Sequence, residues 1–287
     1  MLSPSIQHLK LIVSAAGGRS DVLISHLTRL LNTHKGLTAC LTTLYYTMMF
    51  VHSRLTRILE MRYEKMALSI ASKASASGAL VPGEIMVAHI EAPQLRLTQW
   101  CAGVKSLGDA TEDVRLFLRL FGLLGVYKWA KETYAKQHRD PAIKMLLWAR
   151  IGACLSFQVC ENLAYLVRRG VLQGERATAN RAKWWAWRGR FWVAEVVLEL
   201  LRLARVRQLR YNEEFGAEKV EHDVTVKSEK LKDKWWSDLY ACVGWALPGI
   251  HFSFLDEEQS GVTEAWMGAS GMVPGVIGLI EAWQETG

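Results

Sequence analysis

Cysteine is sparse, and nothing in the sequence pairs it. Cys40, Cys101, Cys154, Cys160 and Cys242 form an odd set of five with no C-x-x-C pair and no histidines following at ligand spacing. That argues against a zinc framework or a disulfide scaffold and leaves buried thiols in a reducing compartment. Proline is scarce too, six in 287 residues, so long stretches are free to be helical. No alternating apolar and polar run is long enough for a useful strand, and no repeat of 20–50 residues is visible. The sequence lacks G-x-S-x-G, H-E-x-x-H, G-x-x-x-x-G-K and the dinucleotide-binding glycine pattern, so no enzyme activity, cofactor or metal is expected. Met1 to Ala16 holds one lysine and a short apolar run at Leu11–Val13, too little for a secretory leader.

What is present is apolar bulk. Half of the side chains are apolar and 22% are charged, which excludes a disordered chain. Twelve tryptophans are many for this length, and tryptophan favours places where one edge is dry and the other wet, membrane interfaces included. Thirty-five Lys plus Arg against 28 Asp plus Glu give a net charge of +7, which suits phospholipid or nucleic acid without choosing between them.

Apolar spacing predicts helices at Asp21–Leu31, at Leu41–Met66, and at Thr111–Tyr134, where Glu112 and Asp113 suit a first turn. Others are expected from Asp140-Pro141 to Leu172 and over Trp184–Arg210. The Ser-, Ala- and Gly-rich stretch 69–94 reads as a flexible connection, and the charged segment 207–234 as a solvated loop. Leu239–Leu255 is 17 residues without a formal charge and Ala265–Ile280 is 16 more. A span needs about 20, with a range of about 17–25. Trp235 and Trp236 enter the first run; Trp266 and Trp283 flank the second and would stand about 25 Å apart on one helix. Residues 235–283 therefore read as a membrane hairpin with these four tryptophans as interface anchors. The lysines Lys227, Lys230, Lys232 and Lys234 place the charged loop and the carboxy terminus in the cytosol. A helical hairpin buried in a soluble bundle fits the same runs.

Three stripes stand out. Glu112, Arg115 and Arg119 share one helix face, while Leu116, Phe117, Leu120, Phe121 and Leu124 fill the rest. That is the pattern of a helix lying in a lipid interface with its arginines on anionic headgroups, and equally of an amphipathic helix packed on protein. Lys128 and Lys131 fall on the opposite side. Arg188, Glu195, Glu199 and Arg202 make a polar line on an apolar helix; inside a membrane they should face other helices or water. The pair Glu195 and Glu199 is compensated by Arg202 rather than built for acid–base work. Gly268, Gly271, Gly275 and Gly278 put small residues on successive turns, suited to close helix packing and oligomerisation in lipid.

The order of these segments resembles the peroxisomal biogenesis factor 11 (peroxin-11) family, in a divergent fungal-type form. The residues that carry the likeness are Val114–Leu120, Asp140-Pro141, Arg150-Ile151-Gly152, Glu161-Asn162, Gly170-Val171, Arg190-Phe191-Trp192 and the glycine-rich Gly268–Trp283, preceded by Asp21–Leu31. After Arg119 the family's usual Gly-Lys step is replaced by Phe121-Gly122-Leu123. The resemblance implies a single all-α domain over 1–287, a membrane-associated helical bundle with amphipathic helices and carboxy-terminal membrane helices. It further implies a non-catalytic integral protein of the peroxisomal membrane that remodels and elongates the membrane and promotes proliferation and fission. Its partners would be the phospholipid membrane, further copies of itself and dynamin-related fission machinery, with no nucleic acid. A multi-pass solute carrier or channel, suggested by the Arg188–Arg202 line, and a soluble helical interaction module remain as alternatives.

Overall fold

The computed structural model describes residues 21–76, 95–136, 140–216 and 223–287. Among them there are eight α-helices and no strand. Helix α1 covers 21–32; α2 is His34–Ala76, α3 Leu95–Arg119, α4 Gly122–Ala135, α5 Pro141–Arg168, α6 Glu175–Gly216, α7 Asp223–His251 and α8 Glu264–Thr286. A short 3-10 turn, Glu257–Ser260, joins the last two.

The helices close a ring. α2 lies between α3 and α8, α7 between α8 and α6, and α5 packs on α6 and returns to touch α3 and α4. Local chemistry fixes the ends of α5. Asp140 accepts a hydrogen bond from Ala142 N at 2.7 Å with Pro141 in the first turn, and Gly170 ends the helix at φ +71° while Val171 N bonds Leu166 O at 2.9 Å. Arg205 of α6 reaches the same aspartate at 2.9 Å, which joins the start of α5 to the later part of α6.

Four sequence expectations change. The helix expected over Thr111–Tyr134 is two helices with a break at Leu120-Phe121. The break is held from α5: Gln158 Nε2 donates to Arg119 O at 2.7 Å and Asn162 Nδ2 to Leu120 O at 3.3 Å, satisfying carbonyls that the helix abandons. The connection expected over 69–94 is helical through Ala76, and 77–94 lies outside the described residues. The solvated loop expected over 207–234 is helix in 207–216 and again from Asp223, with 217–222 outside the described residues. Charge alone does not prevent helix, since Lys, Arg and Glu are good helix formers. The hairpin of 235–283 has one long arm and one short one. α7 ends at His251, so its uncharged part is 239–251, about 20 Å of helix and short of a hydrocarbon thickness of about 30 Å.

Candidate functional site: an exposed apolar surface around a charged core

A charged cluster sits at the centre of the ring. Glu161 of α5 is fully buried, and the side chains of Arg188 and Arg115 are nearly so, at 3% and 7% residue exposure. Arg119 Nη1 and Arg188 Nη1 both donate to Glu161 Oε1, at 3.0 and 3.1 Å. Arg115 lies over the rings of Tyr45 and Tyr46, its guanidinium carbon 4.8 and 5.3 Å from their centres, and Arg188 is sandwiched between Trp185 and Phe252 at 3.7 and 4.7 Å. A second network links α5 to α6. Arg150 bonds Glu195 and Glu199, each at 2.5 Å, and Arg202 holds Glu199 at 2.6 and 2.7 Å. The polar line read along Arg188–Arg202 thus faces a neighbouring helix.

Several helices turn apolar side chains outward. On α5, Met145, Trp148, Leu155 and Val159 point away from the bundle, spaced at three, seven and four residues, with Met145 68% exposed. On α8, Trp266, Val273, Val276 and Ile280 do the same. The faces of α6 and α7 continue the belt with Trp187, Val197, Leu201, Trp236, Tyr240 and Val243. Two helices, Pro141–Arg168 and Glu264–Thr286, are long and apolar enough to cross a bilayer. A core helix of a soluble protein meets that test by being buried, yet only 11% of the apolar window of α5 is buried. A soluble monomer rarely exposes contiguous apolar patches beyond a few hundred Å².

The sequence-assigned residues fall as follows. Leu116 is buried, Leu120 sits half-buried at the break, and Phe117, Phe121 and Leu124 are exposed. The expected orientation of the stripe is therefore reversed. Arg115 and Arg119 turn inward, because a burial site with aromatic faces and a carboxylate is available there, and the apolar arc turns outward. Gly268, Gly271, Gly275 and Gly278 all lie along α2. A Cβ on Gly268 would meet Phe50, on Gly271 the Tyr46 ring, on Gly275 Thr43 at 2.8 Å, and on Gly278 only Ala39 at 3.6 Å. This stripe serves packing within the chain, and the α2 contact leaves it no free face for oligomerisation. Trp236 and Trp266 are exposed, whereas Trp235 donates to Leu203 O at 2.9 Å and Trp283 packs against His26, ring centres 3.7 Å apart.

Sequence reasoning assigned no span to α5 and no core role to Glu161. Arg150 and Glu161 interrupt the apolar run of α5, and both charges have partners on neighbouring helices. An apolar outer face between Met145 and Val159, with Arg150 and Glu161 on the inner side, was the signal available.

An all-helical protein with exposed apolar helix faces, two helices long and apolar enough to span and a charged cluster at its centre has the features of a membrane-associated helical bundle. The family model of peroxisomal biogenesis factor 11 (PEX11) matches residues 86–283, more than half of the chain, and the chain belongs to that family. Membership makes it a protein of the peroxisomal membrane involved in peroxisome proliferation, in a family of biogenesis factors that is not a known enzyme family. Searches of curated proteins and of solved structures find no match.

Proposed function

We propose that the chain elongates the peroxisomal membrane by setting the outer face of α3 and α4 into one leaflet beside the spans α5 and α8. The observation that carries this reading is the outward set Phe117, Phe121, Leu124, Lys128 and Lys131, spaced at four, three, four and three residues along one side of the two helices. Aromatic and leucine side chains would enter the acyl boundary and the lysines would meet anionic headgroups, at about 1 kcal/mol each. Insertion on one side expands that leaflet and favours curvature. Self-association and recruitment of dynamin-related fission machinery complete the proposal, with the oligomer contact on a surface other than the glycine stripe.

The test is tubulation of anionic vesicles by reconstituted protein. Changing Lys128 and Lys131 together to Glu is expected to reduce tubule formation at least about tenfold, since about 2 kcal/mol of attraction is lost. The variant stays in the membrane through α5 and α8. Undiminished tubulation would sink the wedge.

Topology follows from one end of the bundle. Lys35 and Glu285 pair at 2.5 Å, so the start of α2 and the end of α8 lie together, and Asp238 of α7, four residues after Lys234, lies within electrostatic reach of Glu281 of α8. We place that end in the cytosol. A tag after Gly287 should be digested by protease added to intact peroxisomes; protection of the tag would reverse the orientation. The carrier reading has less support, because the centre of the ring is filled by the Arg–Glu cluster and aromatic rings around a cavity of about 20 Å³.

A further inference from the structure

The charges at the centre of the ring do not balance. Arg115, Arg119, Arg188 and Glu112 line that 20 Å³ cavity together with Tyr45 and Tyr46. Guanidinium groups keep their protons. Three positive charges therefore meet two carboxylates, Glu112 and Glu161, and Glu112 is drawn outward as well by Arg168 at 3.5 Å. Donors are left over: Arg115 Nε and Arg188 Nε and Nη2 have no hydrogen-bond partner and no access to solvent. An unpaired buried charge is costly, so an acceptor bearing one negative charge is the missing component.

Size narrows the occupant. A water-sized guest needs about 10–15 Å³ by the same measure, so the cavity admits one small ion and excludes phosphate or an organic acid. Glu161 Oε2 is also unpartnered, so an anion must take the guanidinium side and leave the carboxylate side. A wider cleft of about 730 Å³ shares Tyr45, Glu112 and Phe252 with the cavity and borders it on one side; its charged lining is mixed, Lys105 and Arg168 with Asp109, Glu112 and Glu264, so the guanidinium groups and not the cleft supply the preference for an anion. We infer that Arg115, Arg119 and Arg188 hold one halide-sized monovalent anion at the centre of the helix ring.

The experiment uses the purified full chain in detergent, in sodium gluconate, with chloride added at constant ionic strength and ³⁵Cl NMR line width as readout. Expected is saturable broadening above a detergent blank, removed by bromide and unaffected by Arg57→Gln at an exposed site. Arg188→Gln should weaken chloride at least about tenfold, whereas Glu112→Gln, which removes a competing negative charge, should tighten it at least about threefold. Absence of excess broadening in the folded wild type would mean that water alone fills the cavity and would overturn the site. So would equal broadening in wild type, Arg188→Gln and Glu112→Gln. Should Arg188→Gln fail to fold, Glu112→Gln decides: tighter binding supports the site, and unchanged binding overturns it.

Discussion

Glu161→Gln is expected to cost the bundle about 3–5 kcal/mol, a large fraction of the stability of any single domain. The substitution is nearly isosteric, so it makes no cavity. What it removes is the countercharge that Arg119 and Arg188 share through one oxygen. Arg188 sits between the Trp185 and Phe252 rings, where solvent cannot replace the carboxylate, while Arg119, over Phe157, is half-buried. Gln158 and Asn162 flank Glu161 and hold the α3–α4 break, so the loss should spread to the orientation of α4. Thermal unfolding of the detergent-purified chain measures the effect. The double variant Glu161→Gln, Arg188→Met should lose clearly less than the sum of the single changes, because it removes one of the stranded charges. Additive losses would show that the two residues are not coupled.

The second large effect is at Gly271. Its place for a Cβ is already taken by the Tyr46 ring, which is itself buried beneath Arg115 and edge-on to Trp245. A valine there has to push α8 off α2, and overpacking of this kind costs about 1–3 kcal/mol or more. Gly271→Val is expected to lower the unfolding temperature sharply and to raise turnover of the protein at the membrane. Gly278→Ala is the matched control, since its Cβ meets Ala39 at an ordinary 3.6 Å. It should be neutral or slightly stabilising, alanine being the better helix former. Equal tolerance at both positions would place the glycine stripe away from α2 and restore it as an oligomer contact.

Helix formation was legible in the sequence because it depends on near neighbours. Asp140-Pro141 marks the start of α5 and Gly170 its end, and the glycine spacing on α8 announces a close helix contact. The direction in which a stripe points was not legible. Arg115 and Arg119 define a polar face from sequence, but a polar face turns toward water only when water surrounds the helix. Here Glu161, some 40 residues away, and the Tyr45 and Tyr46 rings supply the polar environment inside. The break at Leu120 was hidden for the same reason: the side chains that cap it, Gln158 and Asn162, come from another helix. Counting uncharged residues favoured 239–255 over α5, although Glu161, one of the charges that interrupt α5, is the carboxylate at the centre.

The account depends most on the apolar belt meeting lipid, and a lipid-soluble diazirine label reads that contact directly. The wild-type chain in bilayers is photolysed with the label in the acyl region, and adducts are mapped by peptide mass spectrometry. Expected are adducts on Met145, Leu155 and Val159 of α5 and on Val273, Val276 and Ile280 of α8, with none on Ala153, Ala164 or Ala282, which face the bundle. Unlabelled outer faces on both α5 and α8, with the same residues open to a water-soluble label, would contradict it.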